Sequence, residues 1–284
     1  AIKDTLGLKI TKGIVFVIFL LYAISLVFPF LWMVLNSFKT NQEFFANIWS
    51  FPEDFRNGLT NFDTAIHLTK KDSNVLQMTL RSIILTVGCV SLGMISSLMI
   101  SYTIAKFKFP GRNLMYSIII SIMLIPTIGA TSAMYKLIND MHIFDTYFSI
   151  FLMATGGLGF QFLMLHGVFK SISWSYAEAA MVDGASDFRI FTTVMIPLAS
   201  PTIIPLMIMN VIGTWNDYFT PYLYLPSKPT LAVGLQMLVN QTEYNANWPA
   251  LFMLMIISMF PIIVLFICFQ KQIMSNVTTG GLKG

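Results

Sequence analysis

The chain has 284 residues and a formal net charge of +4; 56% of it is hydrophobic and only 11% charged. A mean hydropathy of +0.72, with 25 Phe and 19 Met, lies far above the apolar share of soluble domains and excludes an ordinary water-soluble fold. The solvent for most of its surface is therefore lipid, whose hydrocarbon core of about 30 Å is crossed by a helix of about 20 mostly apolar residues.

Six runs of that length occur, at residues 14–35, 80–105, 114–138, 148–169, 203–225 and 249–269, and each predicts a spanning helix. Lys3, Lys9 and Lys12 precede the first. That run is long for the apolar part of a leader and no small-residue cleavage site follows it, so it reads as a retained span. The loop 36–77 that follows has helical spacing in TNFDTAIHL after a turn-prone NG at Asn57 and Gly58, and predicts a small folded cap. In the second run Gly93, Ser97 and Ser101 recur every four residues, so they share one helix face and form a seam for close packing. The connection FKFPGR, Phe107 to Arg112, together with Lys106 carries three basic groups and no acid, which predicts a tight basic turn. Gly156, Gly157 and Gly159 in the fourth run suit either packing or a loosened helix. Pro29, Pro126, Pro205, Pro221 and Pro261 fall in or beside the runs, where a packed membrane helix absorbs them. Cys89 and Cys268 lie in apolar runs and read as small hydrophobes.

Six spans place both termini on one side, which collects Lys3, Lys9, Lys12, Lys106, Lys108, Arg112, Lys170, Arg189, Lys271 and Lys283. Of the acids, only Asp4, Glu178, Asp183 and Asp187 lie there. The opposite side keeps most of its basic residues in one long loop, which weighs less on orientation, so both termini are expected in the cytoplasm. A second external loop is expected at 226–248.

Catalysis finds no support. His67, His142 and His166 are scattered without a partner spaced for a metal or for acid–base work. Neither G-x-x-x-x-G-K-[ST] nor G-x-S-x-G occurs, so no catalytic residue, metal or cofactor is expected, and nothing points to nucleic acid. The span interiors are almost free of ionisable groups; Asp217 in TWNDYF and His166 in LMLHGVF lie toward helix ends. A proton-coupled carrier or ion channel would be expected to place such groups deep inside.

The greasy pattern is interrupted by EAAMVDGASDFRIFTTVMIPLASP, Glu178 to Pro201. YAEAAMV suits a short helix and DG a turn. Ser186 can cap a second helix reaching about Thr193, with Asp187 in its first turn and Phe188, Phe191 and Val194 on one face. The segment is an amphipathic elbow, and its composition alone leaves open whether it is a plain surface connector.

That stretch resembles the signature loop of the membrane subunits of binding-protein-dependent ABC importers, in which EAA is followed three residues later by glycine and then by an I-x-LP ending. Glu178, Ala179, Ala180, Asp183, Gly184, Ala185 and Pro197 match it, while Val194 and Ile196 stand where Ile and Leu are usual and Ser173 stands where relatives often carry proline. AKFKFPGRN, GTWNDYFTPYLYL and the terminal TTGGLKG are similar to the maltose-type sugar permeases, so the likeness extends along most of the chain.

The resemblance implies an all-α integral membrane protein of six transmembrane helices in the type I ABC importer permease fold, a single domain over residues 1–284. It implies that the loop 170–201 forms a coupling helix for a cytoplasmic ATPase, through Glu178, Ala179, Ala180, Asp183, Gly184 and Ala185, with the tail residues Gly280, Gly281 and Lys283 also within reach of the ATPases. The implied partners are a second homologous permease, two cytoplasmic ATPase subunits that hydrolyse the ATP, and an extracytoplasmic solute-binding protein, with a carbohydrate, an oligosaccharide above all, as cargo. Gln161, Trp215, Asn216, Asp217 and Tyr218 are candidate residues of the substrate pathway; WND equally suits a brace for the fifth helix. A permease for a polyol phosphate or peptide, and a membrane channel of another kind, are the alternatives.

Overall fold

The computed structural model describes residues 6–67, 74–125, 129–156, 159–245 and 247–280. All regular elements among them are helical. Four helices are long and apolar enough to cross a membrane, Gly7–Asn36, Val75–Lys106, Asp187–Asn216 and Trp248–Lys271, and the pair Tyr147–Thr155 and Phe160–Ser171, bent by 44°, is together long and apolar enough for a broken span or a re-entrant loop. The chain divides into two compact units, Ala1–Val75 with Leu235–Phe260, and Leu76–Gly234 with Pro261–Gly284.

In the first unit α1 (Leu6–Asn36) is apolar all round, and its most hydrophobic stretch has none of its residues buried. A helix without a polar face, bare on every side, requires lipid or another membrane helix around it. After α1 the chain folds into a small cap of α2 (Asn41–Ala46) and α3 (Asn57–His67). Thr40 begins α2 with a reciprocal capping box: its hydroxyl accepts the Glu43 N–H at 3.2 Å and its own N–H donates to the Glu43 carboxylate at 2.7 Å. Lys39 is fully buried and donates from Nζ to the Asn47 carbonyl at 2.9 Å. Burial pushes its ammonium below the ordinary lysine range, and the nearby Glu43 carboxylate opposes that shift. The Asn57–Gly58 pair opens α3 itself and is not a turn before it. A Cβ on Gly58 would lie 2.2 Å from the Phe38 ring, so this glycine makes room for an aromatic side chain.

The N-terminal half of α14 (Trp248–Gly280) joins this unit through rings: Phe252 meets Trp32 at 5.5 Å and Phe44 at 5.6 Å between centroids. The Trp32 indole N–H donates to the Ile48 carbonyl at 3.1 Å.

The second unit is built on α4 (Val75–Lys106), which lies against α7 (Tyr147–Thr155) and α8 (Phe160–Ser171). The expected seam is present. A Cβ on Gly93 would stand 3.1 Å from the Ala154 carbonyl oxygen, Ser97 is buried, and the Ser101 hydroxyl donates to the Phe162 carbonyl at 3.2 Å. Ser96 donates to the Thr155 carbonyl at 3.0 Å, satisfying an acceptor that the end of α7 leaves open. The run expected at 114–138 contains two shorter helices, α5 (Arg112–Leu124) and α6 (Ala130–Asp140); Pro126 between them lies outside the described residues, as does Gly157 between α7 and α8.

α9 (Ser175–Val182) and α10 (Asp187–Ile190) follow, and α10 passes through a π-helical turn, Phe191–Met195, into α11 (Ile196–Asn216). The second helix of the elbow therefore does not stop near Thr193. Pro197 removes an N–H and would press its ring on the carbonyl four residues back, and the wider π turn just before it is one way to absorb that insult without ending the helix. α11 stops at Asn216, and the rest of the run expected to 225 is α12 (Phe219–Tyr224), followed by α13 (Leu231–Asn245). Asp145, in the left-handed region at φ 57°, ties the α6–α7 connection to the chain after α12. Its carboxylate accepts the Ser227 N–H at 3.2 Å, and its carbonyl accepts Lys228 Nζ.

The packing at Gly93 sets a measurable limit. Gly93→Val forces a β-branched side chain onto backbone and should cost about 1–3 kcal/mol, read as a lower melting temperature in detergent; Gly213→Ala, whose Cβ would meet nothing within 4 Å, should not lower it. Lys39 sets another. With its pKa depressed in the folded state, the unfolded chain binds the extra proton between the two values, so the first unit gains stability as pH rises through the folded pKa toward 10.5 and loses it as pH falls through that value. Melting curves of wild type and Lys39→Met across the alkaline range should differ by this pH-dependent component.

Candidate functional site: the elbow and the polar pair

The elbow starts from the basic turn after α4. Lys106 donates from Nζ to the Ile172 carbonyl, fixing the chain just before α9. Above it the Tyr102 ring meets Phe107 at 5.6 Å, Phe169 at 5.4 Å and Phe191 at 4.9 Å, and Phe107 meets Trp174 at 6.1 Å. Ala177 and Ile190, one from each short helix, are fully buried in the same cluster as Leu165, Phe169 and Met195. Alanine matters here because a larger side chain would lift α9 off the aromatic floor.

α9 ends in a Schellman motif. Gly184 takes φ 77°, its N–H donates to the Met181 carbonyl at 3.0 Å, and the Ala185 N–H reaches back to the Ala180 carbonyl at 3.0 Å. That pattern fixes the spacing of the signature: Ala180 supplies the carbonyl of the outer bond, Gly184 the left-handed residue four positions on, and Ala185 the closing N–H, with Ala180 and Ala185 both packed against the core. Ser186 then caps α10 by accepting the Arg189 N–H at 3.4 Å, as its position predicts.

Of the signature residues, Glu178, Ala179, Asp183 and Gly184 are exposed and Ala180 and Ala185 half-buried. Around the carboxylates the elbow shows bare apolar surface: Tyr176, Met181, Val182 at 87% and Phe188 at 70% exposure. Of the three residues expected on one face, Phe191 is buried in the core cluster with Val194 packed against it, whereas Phe188, in the single turn of α10, is exposed. Gly280 ends α14, whereas Gly281 and Lys283 lie outside the described residues.

Inside the spans Gln161 is drawn to a residue that the sequence reading passed over. Asn210 on α11 donates to the Gln161 side-chain oxygen at 2.7 Å and to the Leu206 carbonyl at 2.9 Å, and Gln161 Nε2 faces the Gly93 carbonyl at 3.4 Å and Met94 Sδ at 3.3 Å. A lone amide in the apolar MIMNVIG is the one sequence signal that marks Asn210. Two of the other pathway candidates make local hydrogen bonds. Asn216 donates to the Ile212 carbonyl at 2.9 Å, and Asp217 accepts the Thr220 N–H at 3.1 Å, serving the first turn of α12. Trp215 is buried and Tyr218 exposed. His166 is a packed side chain, buried with its ring 4.8 Å from Tyr116 and 5.7 Å from Phe162. Among the described residues no group of three His, Cys, Asp or Glu is placed to hold a metal.

Residues 89–278 match the family described as "Binding-protein-dependent transport system inner membrane component". The diacetylchitobiose uptake system permease protein NgcG of Streptomyces coelicolor is 27% identical over 93% of this chain and 86% of its own length. The arabinooligosaccharides transport system permease protein AraQ of Bacillus subtilis is 26% identical over 94% of each chain. A chain in the crystal structure of a bacterial ABC transporter that imports the acidic polysaccharide alginate shares the fold, with a TM-score of 0.79 at 21% identity over 95% of this chain and 99% of that one. An apolar helical chain that carries the EAA elbow on a packed aromatic floor, and matches this family over most of its length, belongs to the inner membrane components of binding-protein-dependent transport systems.

Proposed function

We propose that the chain is one of two related permease subunits that together form the translocation pore of an ABC importer, with an oligosaccharide as cargo. Two cytoplasmic ATPases supply the energy and an extracytoplasmic solute-binding protein delivers the cargo. The observation that carries this reading is the elbow, a capped pair of short helices bolted to the membrane core on one side and presenting Glu178, Asp183, Val182 and Phe188 on the other. Apolar side chains ringed by carboxylates are a surface for a protein partner, since water alone gives no reason to keep them bare. Closure of an ATPase dimer would push on α9 and, through Ala177 and the Tyr102 rings, on α4, α8 and α11 together, exchanging inward for outward access. The names of the relatives, which transport diacetylchitobiose and arabinooligosaccharides, support a carbohydrate cargo.

In this arrangement the chain crosses the membrane six times. α5 with α6 makes the third crossing and the bent pair α7 and α8 the fourth, which puts both termini and the elbow in the cytoplasm and the α2–α3 cap outside.

Orientation is tested in a Cys89→Ala, Cys268→Ala background. An impermeant maleimide added to intact cells should label Phe55→Cys and leave Val182→Cys untouched until lysis; labelling of Val182→Cys in intact cells would reverse the topology. Coupling is tested at Gly184, where a Cβ meets nothing within 4 Å and only the backbone conformation is at stake. An L-residue with φ positive costs about 1–2 kcal/mol, more when β-branched, while Asn tolerates it. Gly184→Val should reach the membrane at normal level, lose ATPase co-purification and lower oligosaccharide uptake by about tenfold, the equivalent of 1.4 kcal/mol, and Gly184→Asn should retain most of both. Wild-type uptake by Gly184→Val would refute the coupling role.

A further inference from the structure

The amide pair inside the spans forms a directed chain of hydrogen bonds. At one end the Leu206 carbonyl can only accept, so it takes a hydrogen from Asn210 Nδ2 at 2.9 Å and fixes which way that amide points. The second Nδ2 hydrogen goes to Gln161 Oε1 at 2.7 Å, which in turn aims Gln161 Nε2 at the Gly93 carbonyl, 3.4 Å away, and at Met94 Sδ. Both donors of Asn210 are thereby used, while its Oδ1 accepts no hydrogen bond from any described residue. Gln161 Nε2 holds only one long contact and one weak sulfur acceptor, so its hydrogens are available to a better partner.

Asn210 and Gln161 are each half-buried, and Asn210 Oδ1 is not a buried atom lacking a partner, so this open acceptor faces accessible space, with the Gln161 donor beside it. At membrane depth such groups are not turned to hydrocarbon, where an unmet hydrogen bond costs several kcal/mol; they face a protein or water-lined space. The surroundings agree. Gln161 stands at the start of α8, just past the break after α7, and interrupted helical backbone at this depth is tolerated where it is packed in protein or lines a wet cavity.

We propose that Asn210 Oδ1 and Gln161 Nε2 form a hydroxyl-binding site on the translocation route, which recognises a neutral polyhydroxylated cargo and disfavours an anionic one. One acceptor beside one donor, with no charge on either residue, is matched by a sugar hydroxyl, which gives one hydrogen bond and takes another. A phosphate or carboxylate group would meet Oδ1 as a second acceptor and be repelled. The assignment deepens the permease role proposed above and rests on it. Asn210 is thus a specificity residue that no motif marks.

The test uses the complete importer with its ATPases and binding protein, in proteoliposomes, in a Cys89→Ala, Cys268→Ala background. The probes are malto-, chito- and arabino-oligosaccharides and a polyol phosphate. Asn210→Cys should react with a small cationic methanethiosulfonate during turnover, and the sugar that the assembly imports should slow that reaction. Asn210→Leu, which keeps the branched shape of the side chain without its polar atoms, should lower the uptake efficiency for that sugar about tenfold, the size of one lost hydrogen bond. Asn210→Gln should recover part of it. An unreactive Asn210→Cys in an assembly that still imports sugar, or wild-type uptake by Asn210→Leu, would show a dry lock between helices and overturn the site while leaving the permease role intact. Import of the polyol phosphate in preference to every sugar would overturn the carbohydrate cargo and the hydroxyl site together.

Discussion

The packing of one tyrosine ring holds the working parts of this protein in register. Tyr102, near the end of α4, touches rings from the basic turn, from α8 and from the π turn, and the two short helices of the elbow each send a fully buried residue into the same cluster. Interiors packed at this density move as bodies and do not absorb a displacement in one corner. A force applied to the exposed face of α9 is therefore delivered to α4, α8 and α11 at once, and neither a flexible linker nor a charge relay is needed between that face and these helices.

The remaining design follows from a demand that lipid imposes, that every backbone polar group find a partner within the protein. Among the described residues, several interruptions and close approaches of the spans are answered locally. Ser96 covers the carbonyl at the end of α7, Ser101 reaches across to Phe162, and Asp217 accepts the Thr220 amide in the first turn of α12. The prolines of α11 are carried by a helix that has already widened through Phe191–Met195, so Asp187–Asn216 continues as one span despite them. The glycine and serine positions of α4 act in the same way from the other side, by bringing backbones close enough for such bonds to form.

Much of this was legible in the residues. Hydropathy located the apolar runs because a span announces itself by length alone, and the seam at Gly93, Ser97 and Ser101 followed from a four-residue period. The elbow was legible through its turn chemistry: a glycine after a short Ala-rich helix and a serine before an acidic first turn specify a C-cap and an N-cap with little help from the rest of the chain. The exposure of Phe188 was not legible, since an i, i+3 spacing marks a shared side of a helix but not where the packed surface beneath it ends. The partnership of Gln161 with Asn210, residues that lie far apart in sequence and carry no periodic mark, was equally hidden, as was the part Lys106 plays in fixing Ile172.

The left-handed turn at Gly184 has a genetic consequence. Space around it is open, so the position excludes other residues by handedness and not by crowding. A lesion caused by crowding can be relieved by trimming a neighbour, and such lesions collect compensating changes in the residues that touch them. A lesion of handedness has no neighbour to trim. Second-site suppressors of a substitution at Gly184 should therefore be absent from the aromatic floor beneath the elbow and, under the coupling role proposed for it, arise in the partner surface, so that the history of this residue would be written in another chain's sequence.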